Sequence, residues 1–386
     1  MNFSPEKIEE HFRENFSERG ELGAAVSIWK GEEEIIALTG GTVGRDDNSP
    51  WKTDTLVPVW SATKGPAALT VLLALHEAGL SVNDPVDELW PELQAGEKGS
   101  LSFAQLLAHK SGLAALDPGN RPSILQHSEV VKALEKQEPF WQAGFGHGYH
   151  PRTSGALMEE IVRRATSGST LGKYWRDNIA RPLDIDFFIG GLSAEDLERV
   201  ATIYPPKVIK SSEEEARFYR ALGDPESLSL WAFSSPRGVK SLTEINNLEY
   251  LQSGIPSLGG VGSARALAKF YAVLANRGFW NGVQVIPEII FDSITTPIAY
   301  GEDYTLLLPT AFSAGFMLDP VDRETGEKVR HLFGPGRKSF GQPGAGGSHA
   351  FADPENQISF AYVMNQMQSG ILPNDKSLGL VNLLYS

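Results

Sequence analysis

The chain has 386 residues, of which 41% are hydrophobic and 21% charged, enough for a large globular fold with a substantial core. Its formal charge of −14 repels phosphate backbones and argues against nucleic acid as a partner. It contains no cysteine, which removes disulfides and thiolate metal sites from consideration. Residues 1–10 carry early acids and no apolar stretch of the kind a secretion signal needs. The longest apolar run, 69–75, is too short to span a bilayer. These features lead us to expect a cytoplasmic protein that does not partner a membrane.

In chain order, Ser4 and Pro5 open an amphipathic helix over 5–18, with Ile8, Phe12 and Phe16 on one face. Two strands follow, 22–29 and 34–39, joined as a hairpin across Lys30-Gly31-Glu32. A further strand-like run, 55–59, leads into an apolar helix over 67–80. A short helix over 102–107 runs into His109-Lys110-Ser111-Gly112-Leu113. Residues 114–148 read as loop-rich, punctuated by Pro118, Pro122 and Pro139. Helices are expected at 153–166, capped by Thr153, and at 171–179. The segment 211–222 reads as a polar helix whose Glu213, Glu214 and Glu215 form a solvated face. A clear amphipathic helix covers 263–277. The last quarter turns to strands at 312–318, 348–352 and 358–365, with a closing helix at 378–384. Strands at both ends with helices between them predict an α/β fold of the α+β type. One antiparallel sheet is built from both termini (1–80 and 250–386), and a mainly helical lobe (81–249) is inserted, with the Ser61 helix starting where the chain leaves the sheet.

The pattern Ser-x-x-Lys occurs four times: Ser4/Lys7, Ser27/Lys30, Ser49/Lys52 and Ser61/Lys64. Ser4 caps a terminal helix, Ser27 lies in a strand whose i and i+3 side chains point to opposite faces, and Ser49 precedes a proline in a loop. Only Ser61 follows a strand and opens an apolar helix, where a hydroxyl and an amine share one face. A desolvated lysine has a lowered pKa, as a general base requires. The alternative is a capping serine with a lysine that snorkels to solvent. Trp60 flanks the pair and is a candidate for substrate contact.

Two other stretches carry chemistry. Gly146-His147-Gly148-Tyr149-His150-Pro151 presents a phenol on a loop ahead of a helix. A neighbouring ammonium would favour its phenolate, which could take a proton from Ser61 and pass it to a leaving group. A packing aromatic is the alternative, and no third ligand joins His147 and His150 to make a metal pair. Ser339-Phe340-Gly341-Gln342-Pro343-Gly344-Ala345-Gly346-Gly347-Ser348-His349 is a glycine-rich stretch at a strand edge. It can lend a backbone N–H to an oxyanion hole, or it can simply turn tightly into a strand. It lacks the lysine and the following helix of a phosphate loop. No Gly-x-Ser-x-Gly elbow occurs.

Together, in this order, these elements resemble the serine β-lactamase and penicillin-recognising enzyme family, closest to the class C-like family VIII carboxylesterases. Ser61-Ala62-Thr63-Lys64 matches its Ser-x-x-Lys box. Residues 106–113 resemble a structural segment common in the family. Gly148-Tyr149-His150 with Thr153, Gly155 and Arg163-Arg164 resembles the tyrosine box of the esterase branch, and the 340–348 stretch with Phe351-Ala352-Asp353-Pro354 its third box. The resemblance implies Ser61 as acylated nucleophile, Lys64 and Tyr149 as general base and acid, and the Ser61 and Ala345 N–H groups as the oxyanion hole. Gln342, Gly344, Trp60 and His349 are then the candidate substrate-binding residues, with a structural role as the alternative for His349.

Two departures bear on substrate. Pro151 stands where β-lactamases carry Asn, and Gln342 where they carry Lys or His. The neutral amide removes positive recognition of a substrate carboxylate, which favours an uncharged ester. The expected activity is therefore a serine carboxylesterase acting on small esters through an acyl-enzyme, with weak β-lactam hydrolysis, needing no cofactor and no metal. It would work as a monomer or small homo-oligomer. The alternatives are a true β-lactamase or D,D-peptidase, an acyltransferase, or a ligand-binding scaffold with an unused site.

Overall fold

The structure, a computed structural model, describes residues 3–94, 101–210 and 212–386. Strand β1 (Gly23–Lys30) is small and β-branched, and only Lys30 at its end is exposed. Its hairpin partner β2 (Glu33–Gly41) alternates in burial, as expected of an edge strand with one wet face. Strands β3 (Val57–Pro58), β4 (Phe187–Ile189) and β5 (Gly260–Gly262) form a separate small sheet in the order β3-β5-β4. A minor hairpin pairs β6 (Phe279–Trp280) with β7 (Val283–Gln284).

The remaining strands are β8 (Ala299–Glu302), β9 (Pro309–Phe312), β10 (Met317–Leu318), β11 (Phe340–Gly341), β12 (His349–Asp353) and β13 (Ile358–Met364). They join the first hairpin in an eight-stranded sheet of order β2-β1-β13-β12-β11-β10-β9-β8. Every pairing in it is antiparallel. The two ends of the chain meet in it one strand in from the β2 edge, where β1 and β13 run in register from Ala24↔Met364 to Lys30↔Ile358. The fold is thus the expected α/β one, an antiparallel sheet built from both termini and flanked by helices. Helix Ala264–Ala275 packs across β1, β12 and β13, and helices Pro5–Ser17 and Asp375–Leu384 pack on each other.

Several expectations change. The run 55–59 contributes only the two-residue β3, and to the small sheet, so the Ser61 segment leaves that sheet and not the large one. The stretch 312–318 is two strands, β9 and β10, because Ser313–Phe316 turns sharply with Gly315 at φ 91° and Ser313 N–H donating to Phe316 O. The loop-rich 114–148 contains a helix, His127–Lys136. Helix 171–179 is an α-turn, Leu171–Trp175, followed by a wider π-turn, Arg176–Ala180. Thr153 does not cap its helix; its hydroxyl donates to Leu113 O at 2.7 Å. The polar helix is shorter, Ala216–Leu222, and Ser211 lies outside the described residues. Glu215 is not solvated. It is buried and accepts from Ile371 N–H at 2.7 Å and Ser212 Oγ at 2.9 Å.

The C-terminal helix is tied to the start of β1 by charge. Lys376 Nζ lies 2.8 Å from Glu21 Oε2, both side chains are buried, and Tyr362 Oη donates to the same oxygen at 2.6 Å. Lys376→Met should leave Glu21 buried without its cation and lower the unfolding free energy by about 3–5 kcal/mol in urea titration. A loss under ~1 kcal/mol would show that Tyr362 and solvent compensate the carboxylate.

Candidate active site

The backbone turns into the site through Trp60, a non-glycine residue at φ 51°, ψ −133°. Such a conformation costs on the order of 1–3 kcal/mol and persists only when its surroundings enforce it. Here β3 and β5 enforce it. Val59 N–H donates to Gly260 O, Thr63 N–H to Trp60 O, and Gly260 N–H to Thr63 Oγ1 at 2.8 Å. Ser61–Thr63 is a 3₁₀ turn, continued by the α-helix Lys64–Glu77. In a 3₁₀ turn the side chains at i and i+3 eclipse, so Ser61 and Lys64 stand over one another more directly than on an α-helical face. Every residue from Lys64 to Leu75 is buried, in contact with helices Thr153–Ala165 and Leu171–Trp175. The lysine therefore has no route to solvent.

Lys64 Nζ has three oxygens around it: Ser257 O at 2.7 Å, Pro151 O at 3.1 Å and Ser61 Oγ at 3.2 Å. No carboxylate pairs with it among the described residues. Burial pushes its pKa well below the usual lysine range, which favours the neutral amine. Nζ donates to the two carbonyls and stands within hydrogen-bond reach of the Ser61 hydroxyl. The approach of Ser257 depends on Gly155, where a Cβ would fall 2.6 Å from Ser257 Oγ.

Tyr149 is buried, and a hydrogen bond links its hydroxyl with Ser61. Its ring stacks on Phe312 at 6.0 Å and meets His109 edge-on at 5.0 Å, with Lys64 Nζ 4.8 Å from the ring centre. Burial raises its pKa above the usual tyrosine value, and nearby Asp303 adds to the rise. Burial thus works against the expected phenolate, although Lys64 Nζ stands close to the ring. His147 and His150 bind Thr310 Oγ1 and Ser111 Oγ, each at 2.7 Å, and burial holds both pKa values at about 4. They brace the tyrosine loop. A hydroxyl beside a desolvated amine and a phenol is the set needed to activate a nucleophile and protonate a leaving group.

The glycine stretch comes against this trio. Gly344 presses on Val59 O, where a Cβ would lie 2.1 Å away, and its N–H donates to Ser348 O at 2.7 Å. Among the described residues the N–H of the next residue, Ala345, donates to no protein acceptor. Gln342 is buried with its amide 3.5 Å from Tyr149 Oη. Trp60 is also buried, with its indole N–H unpaired. A cavity of about 870 Å³ is lined by none of these residues; Met367 and Gln368 on its wall contact Gly346 of the glycine stretch.

Ser61, Lys64, Tyr149, Gln342 and Gly344 thus converge, whereas His349 does not. Its ring is fully buried in the sheet among Phe333, Phe351 and Phe360 and bonds Ser377 Oγ at 3.2 Å. Its assignment to substrate binding is corrected, because strand alternation turns it into the core. The sequence reading missed Ser257, which acts through a backbone oxygen that no side-chain pattern marks, and Asp303, an acid in an unremarkable loop.

Residues 7–379 match the family described as Beta-lactamase. The chain belongs to the beta-lactamase family. Esterase/beta-lactamase LipL of Mycobacterium tuberculosis is 29% identical over 366 residues, covering 94% of this chain and 81% of that protein. A penicillin-binding protein homologue from Caulobacter crescentus superposes with a TM-score of 0.84 at 30% identity, over 98% of this chain and 96% of its own. A family VIII carboxylesterase gives 0.81 at 29% identity, over 98% and 96%. This beta-lactamase-family protein is thus a member of a hydrolase family with esterase neighbours. No helix among its described residues is long and apolar enough to cross a membrane.

In this family member, His349→Ala should open a cavity among three phenylalanines and lower the unfolding free energy by about 2–4 kcal/mol in urea titration. A loss below ~0.5 kcal/mol would be that of an exposed residue and would contradict the burial.

Proposed function

We propose that this protein is a serine esterase that hydrolyses small uncharged carboxylic esters through an acyl-enzyme on Ser61. The observation that carries the reading is the neutral Gln342 amide beside Tyr149 Oη, next to an intact serine, lysine and tyrosine set. Gln342 supplies no cation to a lactam carboxylate, and Pro151 offers only its backbone oxygen, which Lys64 already occupies. The esterase relatives support the same reading.

In the proposed reaction neutral Lys64 takes the Ser61 proton as Oγ attacks the ester carbonyl. The developing oxyanion is held by the Ser61 and Ala345 N–H groups. Ser61 begins its helical turn, so its N–H is among those left without an intrahelical acceptor. The Tyr149 phenol gives its proton to the departing alkoxide and recovers one from Lys64. Water then enters, and the same groups return the acid and free Ser61.

Specific activities on a neutral short-chain aryl ester and on a cephalosporin separate this reading from a true β-lactamase. The ester should be turned over faster, and a higher rate on the lactam would sink the proposal. Lys64→Ala and Tyr149→Phe should each lower kcat on the ester by ~10²–10⁴-fold. Near-normal turnover in Tyr149→Phe would remove the phenol from the mechanism.

The pH dependence has a definite sign. Only neutral Lys64 serves as base, so kcat should rise with pH through the lowered lysine pKa and level off above it. A rate that falls over the same range would mean the protonated amine is the active form.

A further inference from the structure

Asp303 follows β8 and opens the turn to β9, 154 residues from Tyr149 in the chain. Its side chain is fully buried. It receives Thr305 N–H and Leu306 N–H at 2.8 Å on Oδ1, the Thr310 hydroxyl at 3.1 Å on Oδ2, and Tyr149 N–H at 3.0 Å from both oxygens. Among the described residues no lysine or arginine pairs with it; the nearest basic group, His147 at 3.9 Å, is held neutral by burial. A buried carboxylate without a cation is costly unless several donors converge on it.

These donors come from two elements, the β8–β9 turn and the tyrosine loop. The same turn makes two more bonds to the tyrosine loop: Tyr304 N–H donates to His147 O at 3.0 Å, and His147 Nε2 lies 2.7 Å from Thr310 Oγ1. Phe312, at the end of β9, carries the stacked Tyr149 ring. The phenol is therefore placed twice by one strand turn, through its backbone by Asp303 and through its ring by Phe312.

We propose that Asp303 is a positioning residue for Tyr149: its carboxylate holds the tyrosine backbone so that the phenol meets Ser61. Its negative charge has a second effect, since it helps keep the phenol protonated and ready to donate. The proposal rests on Tyr149 serving the reaction proposed above.

Asp303→Asn keeps the shape but leaves one acceptor oxygen and sets an NH₂ against existing donors. Hydrolysis of a short-chain 4-nitrophenyl ester by the full chain should show kcat reduced about 10- to 100-fold, with KM changed less than about threefold. The pH profile adds a readout that a merely structural role would not move. Burial pushes the Asp303 pKa up to about 6. The titratable groups around it are His147, His150 and His109, all lowered by burial, together with Lys110, Lys64 and Tyr149. The ratio of wild-type to Asp303→Asn kcat should therefore fall as pH drops through about 6, where the wild-type carboxylate takes up its proton.

A double-mutant cycle decides the matter. In a Tyr149→Phe background Asp303→Asn should cost less than about twofold, because the group it positions has already been lost. A full multiplicative loss there, or an Asp303→Asn enzyme at the wild-type rate, overturns the proposal. If Asp303→Asn does not fold, Thr310→Val removes one donor to the same carboxylate and is read in the same cycle, with a smaller loss of the same kind expected. A Tyr149→Phe enzyme at the wild-type rate sinks the catalytic reading. An impaired Tyr149→Phe enzyme beside an unimpaired Asp303→Asn one sinks only the role of Asp303.

Discussion

The site depends on one buried amine. Lys64 sits at the start of a helix whose first three turns are buried, with two carbonyls and the Ser61 hydroxyl around its amine. Taking an ammonium out of water without a carboxylate partner is unfavourable, so burial lowers the pKa of this amine, as the proposed base role requires. That arrangement fixes much of the surrounding structure. Helix Thr153–Ala165 must approach close enough for Pro151 and Ser257 to reach the amine, and Gly155 permits this. The chain must enter the turn through a strained Trp60, which the small sheet holds in place.

The large sheet contributes from the opposite side. Its β11–β12 turn brings Gly344 onto Val59 O, and its β8–β9 turn brings Asp303 and Phe312 to the tyrosine. Both contacts cross from the sheet to segments that hold Ser61 or Tyr149. The sheet joins the two ends of the chain through the β1–β13 pairing, one strand in from its β2 edge, so the site geometry is set by residues from both ends of the chain and from its interior.

The legible part of this arrangement was the part written in side-chain pattern. Helices at 5–18, 153–166 and 263–277 announced themselves by apolar spacing, and the central strands by continuous small and β-branched runs. Ser61 stood out because its context differed from three similar pairs, and Tyr149 because glycines flanked it. What escaped was written in tertiary contact. Gly315 gave no sign that it would break 312–318 into two strands. Glu215 looked like its two acidic neighbours, yet only it meets the 370–372 backbone. His349 followed the glycine stretch directly, but the pleat turned it into the core. The depth at which the Tyr149 hydroxyl is buried, which raises its pKa and works against a phenolate, was equally invisible in the sequence.

The central claim is that the hydroxyl of Ser61 is the nucleophile. Intact-mass analysis after exposure to a phosphonate ester, followed by peptide mapping, tests it most directly. The account predicts one adduct on the wild-type chain, mapped to Ser61, and none on Ser61→Ala. An adduct that persists on Ser61→Ala, or a wild-type chain left unlabelled under conditions that label a known serine hydrolase, would contradict it.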